Sequence, residues 1–74
     1  MRALRKWLKE LREHEKLSQT SVAKQLGITQ HYYSMIENGE RQKDLDLSIV
    51  MKLAELFGVT VEWIAEQEKK HKAA

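Results

Sequence analysis

Apolar positions recur along this chain as short helical stripes, and nearly every stripe is closed by a residue that stops a helix. Leu4, Leu8 and Leu11 fall at i, i+4, i+7 and predict a first helix over about Ala3 to Glu15. Trp7 lies beside that stripe, and Arg2, Arg5, Lys6, Lys9 and Arg12 surround the rest. Leu17 then turns the chain inward. Val22, Ala23 and Leu26 share one face of a second helix, Gln19–Leu26, with Ser18 as N-cap. Gly27 stops that helix because it takes positive φ without steric cost, and Ile28 packs the turn. Thr29 caps a third helix, Gln30–Glu37, whose inward positions are Tyr33 and Ile36. Asn38 and Gly39 end it, since both tolerate the left-handed conformation. A polar loop, Glu40 to Leu45, leads to Asp46, the N-cap of a fourth helix, Leu47–Phe57. Its apolar face reads as Leu47, Val50, Met51, Leu53, Ala54 and Phe57, and Gly58 terminates it. Thr60 caps a fifth helix, Val61–Gln67, with Val61 and Ile64 inward and Trp63 at an edge. Residues 68–74 read as a charged tail that frays. No strand alternation, repeat or low-complexity segment interrupts the pattern. The expected architecture is all-α: one domain over residues 1–67, a bundle of five short helices with crossed packing.

The second and third helices carry the most information. The small side chain of Ala23 lets the third helix cross the second closely and steeply. With Tyr33 and Ile36 turned inward, Gln30, His31, Ser34 and Met35 face outward. A short helix with a polar leading end, presented in this way, suits insertion into a DNA major groove.

The pattern resembles the Xre family, the Cro and phage-repressor type of helix-turn-helix domain with the lambda-repressor-like fold. The resemblance rests on Gln19, Ala23, Leu26-Gly27-Ile28-Thr29-Gln30, Ile36-Glu37-Asn38-Gly39 and Arg41, continuing in Met51-Lys-Leu-Ala-Glu-Leu-Phe-Gly-Val59 and Val61-Glu-Trp-Ile64. It covers roughly residues 4 to 66. The chain departs from the family at Tyr33, where an aliphatic residue is usual, and in the Glu40–Leu45 loop, which is longer than the commonest version and lacks its proline.

The resemblance implies base contacts from Gln30, His31, Ser34 and Met35. Glutamine can donate and accept at once, so Gln30 can pair with an adenine edge. His31 can read a guanine or touch a phosphate, and Met35 can lie against a thymine methyl. Met35 also has the plainer reading of a gap-filling core side chain. Gln19 opens the second helix, where the helix dipole favours a phosphate oxygen. The family uses this glutamine as a phosphate clamp that also supports the first recognition glutamine. Ser18, Thr29, Tyr32, Asn38, Arg41 and Lys43 complete the expected phosphate contacts. The resemblance further implies an ion pair between Arg12 and Glu37. The adjacent Tyr32 and Tyr33 could instead stack single-stranded bases, but no groove of further aromatics accompanies them.

Composition narrows the alternatives. Seventy-four residues make one small core, burying about 60% of the unfolded surface. Without cysteine there is neither disulfide nor thiolate zinc site. No apolar run approaches the ~20 residues that span a bilayer, and the start of the chain does not read as a secretory signal. A cytoplasmic protein is expected, with no membrane partner. Net charge is +2, but unevenly spread: residues 1–43 hold nine basic and five acidic side chains, residues 44–74 four and six. The helix-turn-helix thus lies in the basic half, the correct end to meet a polyanion. His14, His31 and His71 form no metal-binding pair, and no glycine-rich phosphate loop or nucleophile elbow exists. No enzyme, cofactor, metal or small-molecule ligand is therefore expected.

The sequence thus points to a double-stranded DNA-binding transcriptional regulator, a repressor acting as a homodimer on a two-fold operator. Val61, Trp63 and the outer face of the fifth helix are the dimer candidates, helped by the Glu40–Leu45 loop; Trp63 could equally close the core from the side. Two alternatives share the fold. One is an antitoxin or controller protein whose main partner is another protein. The other is an interaction module that has lost DNA binding, against which the intact Gln19, Gln30 and Asn38 argue.

Overall fold

Side-chain oxygens open four helices of the protein, and each sits where the sequence placed an N-cap. Ser18 Oγ accepts from the Ser21 amide at 3.0 Å, Thr29 Oγ1 from Tyr32 at 3.1 Å, Asp46 Oδ1 from Ile49 at 2.9 Å and Thr60 Oγ1 from Trp63 at 2.9 Å. Each such cap contributes about 1 kcal/mol by satisfying a donor the helix itself cannot. The computed structural model describes residues 4–73. Among these the elements are α1 (Lys6–His14), α2 (Gln19–Leu26), α3 (Gln30–Glu37), α4 (Leu47–Phe57) and α5 (Val61–Ala73), with no strand. The fold is all-α and measures 29 × 27 × 22 Å. Among the described residues no helix is long and apolar enough to cross a membrane.

One core joins the five helices. Leu8 of α1, Val22, Ala23 and Leu26 of α2, Tyr33 and Ile36 of α3, Ile49, Leu53 and Phe57 of α4 and Ile64 of α5 are buried together. α2 packs against α3 and α4, α1 against α3 and α5, and α4 against α5. Gly27 ends α2 at φ +75°, and the amide of Ile28 returns to the Ala23 carbonyl at 3.0 Å. Lys52 of α4 donates to the Leu26 carbonyl at 3.2 Å, which satisfies another open group of that helix end.

Four expectations are corrected. The first helix starts at Lys6, not near Ala3, which lies outside the described residues. Arg5 has non-helical backbone because its amide donates to the Glu37 carbonyl at 2.7 Å. Its side chain is therefore buried, while Leu4 is exposed. In α4 the inward stripe is Ile49, Leu53 and Phe57, with Leu47 66% and Met51 55% exposed. That helix is apolar on most sides, so periodicity alone does not choose its phase. Val61 is exposed rather than inward. As expected, α3 ends at Asn38, its C-cap, which keeps a right-handed backbone while Gly39 takes the left-handed turn at φ +78°. Finally, α5 does not stop at Gln67 but runs to Ala73, held by Glu68 and by an ion pair of Lys72 with Asp44.

Tyr33 is fully buried in the core, at the position where the resemblance implied an aliphatic residue. Its hydroxyl is sealed from solvent, close enough to Glu37 and Arg12 to feel both charges, but aligned for a hydrogen bond with neither. Burial, reinforced by the Glu37 carboxylate, pushes this phenol well above the usual tyrosine range. Unfolded tyrosine ionises near pH 10, before the folded form does, so the fold loses stability as pH rises past that value. Tyr33→Phe should flatten this alkaline loss. Urea titrations at pH 8 and pH 10.5 on both proteins check it, and an unchanged alkaline drop in the variant would refute it.

Candidate nucleic-acid interface

The face of α3 opposite the core is defined by which of its side chains are buried. Tyr33, Ile36 and Glu37 are inside; Gln30 and His31 are exposed; Ser34 and Met35 are half-buried. The four positions 30, 31, 34 and 35 form one strip along the helix, at spacings of one, four and five. Met35 is absent from the core, which leaves its side chain on that strip.

A chain of hydrogen bonds fixes the strip relative to the rest of the protein. Gln30 Nε2 donates to Gln19 Oε1 at 2.8 Å. Gln19 Nε2 in turn donates to Glu37 Oε1 at 3.2 Å. Arg12 closes the set: its Nε donates to Glu37 Oε2 at 2.6 Å, and its Nη2 to Oε1 at 3.2 Å. Arg12 Nη1 also donates to the Leu17 carbonyl at 2.8 Å, tying down the segment that leads into the Ser18 cap. The first and last residues of α3 are thereby linked to the start of α2 and to α1. Gln30 spends one amide hydrogen on Gln19, keeping its carbonyl oxygen and second hydrogen. These are the acceptor and the donor that an adenine edge requires.

The charges in this network are balanced by geometry. Burial pushes the Glu37 carboxyl up, but hydrogen bonds from Arg12 and Gln19, with the Tyr33 hydroxyl nearby, outweigh it and hold the group below the usual carboxylate range. The bond to Glu37 raises the Arg12 guanidinium further, against its own burial.

The expected phosphate-contacting residues gather around both ends of α3. Ser18 and Thr29 are exposed, and Gln19 is half-buried, at the N-termini of α2 and α3. The amides of the first turn of each helix point the same way, towards the positive end of the dipole. Asn38, Arg41 and Lys43 are exposed after α3, where the Glu40 and Arg41 amides fold back onto the Met35 carbonyl at 2.8 and 3.2 Å. Tyr32 is less free than its sequence position implies. Its hydroxyl accepts from Gln42 Nε2 at 2.8 Å, and its own proton remains available.

Three residues of this region carry no sequence signal. Gln42 sits at φ +56°, bonds Tyr32, and accepts from the Asp46 amide at 3.0 Å through its side chain. Arg5 and Glu68 meet behind the same loop, their Nε–Oε2 distance being 2.8 Å. Arg5 read as part of the solvated face of the first helix and Glu68 as part of a fraying tail, and nothing local marks a pair separated by sixty-three positions. Of the two dimer candidates, Val61 is exposed, and Trp63 sits edge-on against Trp7, with ring centroids 6.0 Å apart at 81°.

An α2 seated in the core by Val22, Ala23 and Leu26, a glycine turn and an α3 with one free polar face define a helix-turn-helix protein. Comparison with known proteins agrees. The model of the helix-turn-helix family matches residues 8–64. A protein of Bacillus subtilis (strain 168) described as an uncharacterized HTH-type transcriptional regulator, YqaF, is 42% identical over 55 residues, spanning 74% of this chain and 70% of that one. No solved structure matches. The chain belongs to the Xre-like helix-turn-helix family.

Proposed function

We propose that this protein is a transcriptional regulator that reads double-stranded DNA through α3, acts as a repressor, and binds a two-fold operator as a homodimer. The observation that carries the reading is the Gln19–Gln30 pair. It fixes Gln30 at the open end of α3 with one donor and one acceptor unspent. His31, Ser34 and Met35 continue the reading face, and Ser18, Gln19, Thr29, Tyr32, Asn38, Arg41 and Lys43 stand where they can grip the flanking phosphates. Base pairs are then told apart by side-chain pattern, and register is set by backbone contacts.

One domain of this size covers less than the ~1,000–2,500 Å² of a specific DNA complex, and pairing on two half-sites is the usual remedy. The apolar surface suited to that pairing lies on α4 and α5. Leu47 and Val61, both exposed, line an open groove of about 440 Å³ with Leu45, Val50, Ile64 and Ala65, and its edge carries Asp44 and Lys72; Met51 is a further exposed apolar residue of α4. The same patch favours the second reading, a regulator whose main partner is a different protein.

Selection of bound duplexes from a random pool tests the proposal. A recovered site with dyad symmetry and half-sites about one helical turn apart is expected. Failure to bind even unselected duplex at low salt would defeat it, because phosphate contacts alone give about 10⁻⁴–10⁻⁶ M at physiological salt. A symmetric site bound by a protein that stays monomeric at every concentration would favour the second reading.

A further inference from the structure

We propose that Arg5 and Glu68 are the positioning pair for the phosphate-gripping loop, so that the C-terminal half of α5 sets the grip of residues 38–43 on DNA. The inference rests on the DNA-binding reading above and deepens it.

Arg5 is 1% exposed, and its guanidinium is almost entirely committed. Nε and Nη2 donate to the two carboxylate oxygens of Glu68 at 2.8 and 3.0 Å. Nη1 donates to the Ile36 carbonyl at 2.7 Å, and Nη2 also reaches the Gln42 carbonyl at 2.6 Å. Trp7 Nε1 gives Glu68 Oε2 a further donor at 2.8 Å, which fixes the carboxylate from α1.

Two features make this more than a structural ion pair. A buried pair is weak evidence for stability, since well-packed apolar residues often replace one without loss. What apolar residues cannot replace is the hold on two backbone carbonyls. Those carbonyls, of Ile36 and Gln42, bracket the stretch that carries Asn38 and Arg41, with Lys43 just beyond. Gln42 also has a left-handed backbone, at φ +56°, which a non-glycine residue keeps only where its surroundings impose it. The loop is thus clamped at both ends from behind, by a side chain anchored on α5.

Arg5 and Glu68 stand behind the loop and act through Arg41 and its neighbours rather than on DNA. The test is binding of unselected duplex across a salt series, because the slope reports how many phosphates are neutralised. The double variant Arg5→Met with Glu68→Leu keeps the net charge and removes the clamp. It should stay folded by circular dichroism, bind about tenfold more weakly, and lose about one ion from the slope. Arg41→Ala should cost about one ion in the wild type and almost none in the double variant. If the double variant does not fold, Arg5→Lys carries the same comparison, since one ammonium can hold Glu68 but not both carbonyls. A folded variant with the wild-type slope, or an Arg41→Ala loss that persists undiminished without the clamp, overturns the proposal. Wild-type protein that fails to bind duplex at all defeats the DNA-binding reading itself, a result seen before any variant is made.

Discussion

Glu37→Ala should lower the stability of this protein by about 3–5 kcal/mol, more than any substitution of a charge on its surface. Glu37 is 2% exposed, and its two oxygens take three hydrogen bonds from Arg12 and Gln19. Truncation leaves the Arg12 guanidinium, itself largely covered, facing Tyr33 across an uncompensated gap. Arg12→Ala should fall in the same range, because it strands the carboxylate instead. For a domain of this size the loss corresponds to a fall in Tm of roughly 12 °C or more. Lys24→Ala, at an exposed position of α2, should stay within about 0.5 kcal/mol of wild type. Thermal melts of the three variants check this, and an equal Tm for Glu37→Ala and Lys24→Ala would refute it. The same network predicts acid sensitivity. The folded Glu37 titrates below its unfolded value of about 4.5. Its contribution is therefore complete above that pH and is lost as pH falls through the folded value. Removing the carboxylate should remove this part of the acid dependence as well.

Gln30→Ala should reduce affinity for the selected operator by about 1–3 kcal/mol, a factor of roughly 5 to 150, and leave binding to unselected duplex unchanged. Gln30 carries no charge, so the salt slope should not move; base reading and phosphate neutralisation are separable. Gln19→Ala should weaken both. It frees Gln30 from its hydrogen bond and removes a group at the α2 N-terminus. Titrations of each variant on selected and unselected duplexes read out the difference. Equal losses on both duplexes for Gln30→Ala would mean that this residue touches the backbone only.

The helix-turn-helix unit was accessible from sequence because its determinants are local. Ser18, Thr29, Asp46 and Thr60 bond amides three positions ahead, and Gly27 and Gly58 take φ values that disfavour other residues. The phase of α3 followed from the same logic, since burying Tyr33 and Ile36 leaves Gln30 and His31 outside by geometry alone. α4 is the contrast. A helix with apolar residues on most sides has no phase until its neighbours supply one, which is why Leu47 and Met51 read as core and stand in solvent.

Local chemistry in the chain therefore determined the caps that open α2 to α5, the turn at Gly27 and the polar face of α3. Tertiary structure alone decided the pairing of Arg5 with Glu68. Arg5 and Glu68 look like solvated surface in any window of ten or twenty residues. Their burial arises when α1 packs against both α3 and α5, bringing Glu68 and the Ile36 carbonyl to the same guanidinium. Capping and periodicity act over three or four residues and leave a trace in the sequence. A guanidinium that spans sixty-three positions to meet its carboxylate leaves none, because the fold that brings the two together is built by other residues.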